Sequence, residues 1–346
     1  MRILVDITHP AHVHFFRNAL DQWREHGHTV TLVVRRKDIA TDLLERLGLE
    51  YVELGRAGQG VLGLGTELLV RTARLYRLTR SLKPDVMTAI GGIFIAQAGC
   101  LRRIPSVVFT DTENATSTNR IVFRLASVVA TPDCFEAAVP KKRHRTYAGY
   151  HELAYTHPRR FTPDPRVLET FGLQPDEKFI VVRLVSWGSS HDFSDHGFGN
   201  VEAAIRRLQP FGKVLISSEV PLPASLEPLR LRAAPELVHH LLAYAQLFIG
   251  ESATMASESA TLGTPAIFVS TSTRGYTNEQ ESRYDLTYTY SDSKHGQSQA
   301  LEKAVEILSN PNAKTEWAAK RKRMLEDMTD VTDYVTSLVE SYGSPS

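Results

Sequence analysis

Short apolar runs rich in β-branched residues recur along the first half of the chain, at 3–7, 29–34, 51–54, 86–90, 106–110 and 127–131. Between them lie segments with helical spacing, at 13–26, 39–47, 62–82, 94–101 and 119–125. This alternation constrains the fold more than any other feature. A helix between successive strands returns the chain to the same end of the sheet, so the strands must run parallel, with helices covering both faces.

The alternation stops at 149–165, where Gly149, Pro158, Pro163 and Pro165 crowd together. Prolines at this density end regular structure, so a domain linker is expected there. Strand-like runs resume at 179–184, 213–217, 229–233, 247–250 and 266–270. A long polar helical segment at 313–342 closes the chain and is expected to pack back across the first domain. The expected division is an N-terminal Rossmann-like domain over 1–157, a second over 158–320 and a closing helix over 321–346. With 346 residues, 42% of them hydrophobic, each domain can bury a core of its own. In such sheets ligands bind beyond the carboxyl ends of the strands, so the turns after the strands are where chemistry is to be sought.

The net charge of +1 argues against a nucleic-acid binder. Cys100 and Cys134 are the only cysteines, which leaves no disulfide framework or cysteine zinc site and suits a reducing compartment. Asp6 interrupts the first apolar run, unlike the core of a signal peptide. No run of about 18 apolar residues would span a bilayer. A cytoplasmic protein is expected, with peripheral contact at the inner membrane face left open.

Two turns stand out. After the run at 247–249 come Gly250-Glu251-Ser252-Ala253-Thr254, then a helical stretch closed by Gly263-Thr264-Pro265. Small residues at a helix start leave backbone N–H groups bare, and these suit a diphosphate. Glu258 lies one turn in from Thr254 and could accept bonds from both ribose hydroxyls of a nucleotide. An ordinary strand–turn–helix is the other reading. The second turn is Thr8-His9-Pro10-Ala11-His12-Val13-His14, at the carboxyl end of the first run. A neutral histidine here suits a general base near neutral pH; capping and packing is the plainer account. His12 and His14 are two apart, which does not put them on one helix face, so no metal site is expected.

The 250–265 segment resembles the donor-binding motif of the GT-B nucleotide-sugar superfamily. It is similar to that of the undecaprenyl-pyrophosphoryl-muramoylpentapeptide N-acetylglucosaminyltransferases and the non-hydrolysing UDP-N-acetylglucosamine 2-epimerases. The matching positions are Ser252-Ala253-Thr254, Glu258 and Gly263-Thr264-Pro265. Ala253 and Thr254 replace the glycines usual in the epimerases. From Met1 onward the chain also resembles the DUF354 proteins. The resemblance implies a GT-B fold: two Rossmann-like domains with parallel sheets facing across a cleft. It maps the transferases' histidine onto His12. Lys83-Pro84-Asp85 followed by a strand and Gly91-Gly92 is transferase-like, although a tight turn needing glycine would suffice. The polar stretch 109–114 resembles the transferases' Glu-x-Asn loop and offers Asp111 and Glu113 as acid or base; turn chemistry alone is the alternative. In the second half, Arg183, Ser189 and His191 occupy a phosphate-facing turn. Asn278, Glu279 and Gln280 fall where the transferases hold donor-sugar hydroxyls. Arg71, Arg74, Arg77 and Arg80 form either a solvated helix face or a surface for lipid-linked acceptors.

The resulting expectation is a metal-independent glycosyltransferase without a cofactor. It would move a sugar from a nucleotide diphosphate sugar, a UDP-sugar by resemblance, to an acceptor hydroxyl on a lipid-linked or glycan acceptor. An epimerase using Asp111, Glu113 and His191 is the alternative. A nucleotide-sugar binding protein without turnover is the third.

Overall fold

The computed structural model describes residues 1–36, 38–56, 60–174, 176–185, 201–219, 221–292 and 295–343. The first stretch of chain forms β1 (Arg2–Ile7), α1 (Pro10–Glu25), β2 (Thr29–Arg36), α2 (Asp38–Arg46), β3 (Val52–Arg56), α3 (Gly60–Leu82), β4 (Val86–Ile90) and α4 (Ile93–Arg102). It continues with β5 (Ser106–Phe109), α5 (Thr116–Leu125), β6 (Val128–Pro132), β7 (His144–Tyr147) and α6 (Leu153–Thr156). The second stretch forms β8 (Phe179–Leu184), α7 (Val201–Leu208), β9 (Lys213–Ser218), α8 (Val238–Tyr244), β10 (Leu247–Gly250) and α9 (Ala253–Leu262). After these come β11 (Ala266–Val269), α10 (Gly275–Ser282), β12 (Thr287–Tyr290), α11 (Gly296–Ser309), α12 (Ala313–Asp327) and α13 (Val331–Gly343).

Two compact units result. One comprises Met1–Tyr155 with Thr329–Ser346, the other Thr156–Met328. The first holds a sheet ordered β3-β2-β1-β4-β5-β6-β7, the second a sheet ordered β12-β11-β10-β8-β9. Every strand pair is parallel. The central strands are buried on both faces, as in β5, β6, β10 and β11, which explains their continuous apolar runs. Strand order reverses between β1 and β4 in the first unit and between β8 and β10 in the second. Neighbouring loops diverge at such a reversal and leave a crevice at the carboxyl ends.

Several elements differ from expectation at the sheet margins. Residues 229–233 form no strand: a 3-10 turn at Glu227–Leu229 carries Pro228, and only Arg230 bridges to Ile216. The edge strands β7 (His-Arg-Thr-Tyr) and β12 (Thr-Tyr-Thr-Tyr) carry polar side chains and lack the apolar run that marks a central strand. The closing segment 313–342 is two helices. They part at Met328–Asp330, where the Asp330 carboxylate accepts the Thr332 N–H. α12 stays with the second unit, its Trp317 Nε1 donating to Leu286 O at 2.9 Å. α13 belongs to the first unit, its Thr332 hydroxyl donating to Ala154 O at 2.7 Å.

The proline-rich stretch is no exposed tether at its start. His151, Glu152, Leu153, Ala154, Tyr155 and Thr156 are all buried.

Candidate functional site

In the first unit, the turn after β1 is stiffened from both sides. His9 caps α1 by accepting the Ala11 N–H at 3.2 Å, and Pro10 opens the helix with no N–H to lose. His12 stands in the first turn of α1, half-buried, its Nδ1 3.4 Å from the Thr8 amide and 3.3 Å from the Thr8 hydroxyl. Burial, then the neighbouring His9 and His151, hold its pKa well below the usual histidine value; Asp111 opposes them and Arg71 adds to them. His12 is therefore a neutral imidazole at pH 7. His14 is buried and packs on the Tyr155 ring, 5.4 Å between centroids.

Asp111, after β5, is pinned through both oxygens. Oδ2 lies 3.0 Å from His151 Nδ1, and the Thr112 hydroxyl donates to Oδ1 at 2.9 Å. Burial alone would raise its pKa, but the His151 charge and hydrogen bonds prevail and bring it down to about 2. His151 sits against the Phe15 ring, 4.7 Å between centroids, and stacks on Tyr147 at 6.4 Å. Its Nε2 is buried with no hydrogen-bond partner among the described residues. Phe15 lies three residues after His12, on the same face of α1. His12, Asp111 and His151 are thus one electrostatic group. Glu113 is directed elsewhere, its carboxylate accepting the Glu136 N–H at 3.4 Å.

The sequence offered His12 and Asp111 but not His151, because the composition of 149–165 reads as a linker. Arg71 also departs from expectation. It is 2% exposed, paired with Asp6, and its guanidinium lies over the Phe94 ring at 4.5 Å. The basic face of α3 is therefore formed by Arg74, Arg77 and Arg80, which are exposed. Arg71 answers the buried carboxylate that interrupts β1. Gly91 and Gly92 adopt φ of 67° and 50°, and a Cβ on Gly92 would overlap Val108. Turn geometry requires both.

In the second unit, β10 leads into α9. Gly250 is required by close approach, since a Cβ there would overlap the Arg183 backbone. Ser252 is the N-cap of α9 and accepts the Met255 N–H at 3.3 Å. Ala253 is buried and Thr254 half-exposed in the first turn. Glu251 turns inward, and its carboxylate takes the Val185 N–H at 2.8 Å. Glu258 is 5% exposed, and its Oε1 lies 3.0 Å from Nε2 of His239, a residue of α8 that no sequence signal singled out. Arg183 donates to Ser217 at 2.8 Å and pairs with Glu219. Ser189 and His191 lie outside the described residues.

Asn278, Glu279 and Gln280 belong to α10, where successive residues point about 100° apart. Gln280 is fully buried and donates to the Ser257 hydroxyl at 2.7 Å, which ties α10 to α9. Glu279 pairs with Arg283 at 3.2 Å. No helix among the described residues is long and apolar enough to cross a membrane.

The sequence model of a family described as "Protein of unknown function (DUF354)" matches residues 1–216. No curated protein matches the chain. Among solved structures, the Neisseria meningitidis UDP-GlcNAc 2-epimerase bound to UDP-GlcNAc is similar at 13% identity and a TM-score of 0.68, covering 94% of this chain and 99% of that one. The glycotransferase of kitacinnamycin is similar at 14% identity and a TM-score of 0.63, covering 99% of each. The spinosyn rhamnosyltransferase complexed with spinosyn aglycone is similar at 12% identity and a TM-score of 0.62, covering 98% of this chain and all of that one. At these identities the likeness shows the fold, which is of the GT-B class.

Proposed function

The chain belongs to the DUF354 family, and on that footing we propose that it is a metal-independent glycosyltransferase acting on a nucleotide diphosphate sugar, with a UDP-sugar as the first donor to test. The observation that carries this reading is His12: a histidine kept neutral, in the first helical turn beyond the central strand, with an ionised carboxylate within electrostatic reach. The Thr8 N–H donates to Nδ1 at 3.4 Å; the base form requires that long contact to give way, with Nδ1–H turned to the Thr8 hydroxyl at 3.3 Å, which frees the Nε2 lone pair. It takes the proton of the acceptor hydroxyl as that oxygen attacks the anomeric carbon. The bond from that carbon to the diphosphate oxygen breaks, and its electron pair leaves with the diphosphate. The first turn of α9 receives the diphosphate through its amides and its positive helix end. Asp111 stabilises the imidazolium that forms on His12.

A 2-epimerase is the second reading, and the Asp111–His151 pair favours it. Exchanging a proton at a sugar carbon requires one group to remove it and another to return it, and a carboxylate-oriented histidine beside His12 provides the second. Incubation with a UDP-sugar alone, then with hydroxyl acceptors, separates the readings. Transfer only in the presence of acceptor is expected; isomerised sugar without acceptor would establish the epimerase. Nucleotide binding with neither product would leave a binding protein.

A further inference from the structure

A separate cluster lies in the first unit at the far end of α1. His26 caps the carboxyl end of α1, His28 follows in the turn before β2, and Glu340 stands in the last turn of α13. His26 Nδ1 is 2.7 Å and His28 Nε2 is 3.1 Å from the same Glu340 oxygen, and the three donor atoms all lie within 4.8 Å of one another. The two rings are 6.2 Å apart and nearly perpendicular. We propose that His26, His28 and Glu340 form a site for a borderline divalent cation of the zinc type, which clamps α13 to the carboxyl end of α1.

The donor set fits that chemistry. Two imidazoles and one carboxylate supply three of the four ligands of a tetrahedral zinc ion, and water completes the shell. Metal–ligand bonds of about 2.0–2.1 Å place such donors about 3.3 Å apart. The Glu340 oxygen withdraws by about 0.6 Å from His26 and about 0.2 Å from His28, and the two imidazole nitrogens, within 4.8 Å, settle to the same spacing.

The helices supply an independent reason for a cation. Gln22 bonds Asp333, Trp23 Nε1 donates to Thr336 O, and His26 meets Glu340, so contacts advance together along both helices. α1 and α13 are therefore parallel, and both negative helix ends converge on the cluster. A cation at that point offsets both. Arg24, the basic residue in the last turn of α1, is turned to Asp21 at 3.6 Å. The Met1 amine lies 3.3 Å from His28 Nδ1.

No spacing rule could have joined these residues, because Glu340 is 314 positions from His26 and 312 from His28.

The test uses the full chain, free of any added tag and stripped by chelator, titrated with Zn²⁺ in a calorimeter. One equivalent is expected to bind. His26→Ala, at a half-exposed position that the fold tolerates, and Glu340→Ala should each weaken binding about tenfold or more. Zinc at about 100 times its dissociation constant should raise the unfolding midpoint of the unaltered chain by about 5 °C, and not that of H26A. Co²⁺ in place of zinc should give the absorption of a tetrahedral site, lost in H26A. Absence of saturable binding, or binding unchanged in both variants, would overturn the proposal; the latter would put the metal elsewhere, with the His9–His12 turn the first place to look.

Discussion

The two units present the same device: a parallel sheet whose strand order reverses, and a strand–turn–helix beside the reversal. Their side chains there are in opposite conditions. Around α9 the polar groups are engaged with one another: Glu258 with His239, Gln280 with Ser257, Glu251 with the Val185 amide, Arg183 with Glu219. Around α1, a histidine has its pKa held well below the usual value and a carboxylate has its own brought down to about 2. Paired groups make a stiff surface of fixed dipoles, which suits binding. Groups whose pKa is drawn away from its ordinary value occur where protons are transferred. Under the proposed function, the first unit supplies the base and the second the helix start that holds the donor.

The sharpest way to break that division is His12→Ala. Turnover should fall by about 10²–10⁴, the usual worth of a positioned base. UDP affinity, measured by calorimetry, should not change. Retained turnover would remove His12 as the base, and lost UDP binding would mean that His12 also takes part in donor binding. The same residue gives a pH signature. Its lowered pKa means that folding excludes a proton which the unfolded chain binds below about pH 6.5. The stability contributed by neutral His12 is present above that pH and declines as pH falls toward its folded value. The variant should lose this contribution to the upper part of the acid-denaturation curve. The contribution of Asp111 to the lower part, between about pH 4 and 2, should persist.

Asp111→Asn comes next. It keeps the shape but removes the charge that favours protonation of His12, so turnover should fall by about 10². Its own share of the lower acid step, about 2 kcal/mol, should vanish with it. His151→Asn offers Asp111 an N–H from nearly the same position, and should keep more turnover than His151→Ala. Equal losses in the two would show that His151 does not act by holding Asp111.

How much of this was legible follows the same division. Central strands, Gly91-Gly92, the small-residue helix start after Gly250 and the histidine turn around His12 are local in sequence. His151 was hidden because proline density marks where regular structure ends, and says nothing of what is buried just before it. Arg71 was read with its helix neighbours Arg74, Arg77 and Arg80. Its partner Asp6 is 65 positions away, and the pairing exists only once α3 lies over the sheet. Glu258 was legible as a residue but not in its state, since His239 arrives from α8. The edge strands β7 and β12 escaped notice because one polar face removes the apolar run.

Glu258→Gln tests the second unit more gently. The amide keeps an acceptor for His239 and so preserves the fold, but it loses the charge that a ribose hydroxyl would meet. UDP affinity should fall about tenfold, with turnover at saturating donor nearly unchanged. Unchanged affinity would mean that the carboxylate serves only His239, and that the ribose is read by other residues.

The smallest effect isolates the helix start itself. Ser252→Ala removes the side-chain acceptor of the Met255 N–H and should cost about 1 kcal/mol of stability, read as a lower denaturant midpoint at constant slope. Its effect on nucleotide binding depends on what the cap does when a diphosphate is present. If the phosphate oxygens lie over the first-turn amides, they take up part of the satisfaction that the hydroxyl gave. Saturating UDP should then narrow the stability gap between variant and unaltered chain. If the nucleotide lies elsewhere, the gap stays the same with and without UDP. Thermal unfolding of both chains across a UDP series therefore locates the diphosphate relative to α9 without any assay of turnover, and it does so even if the reaction proves to be epimerisation.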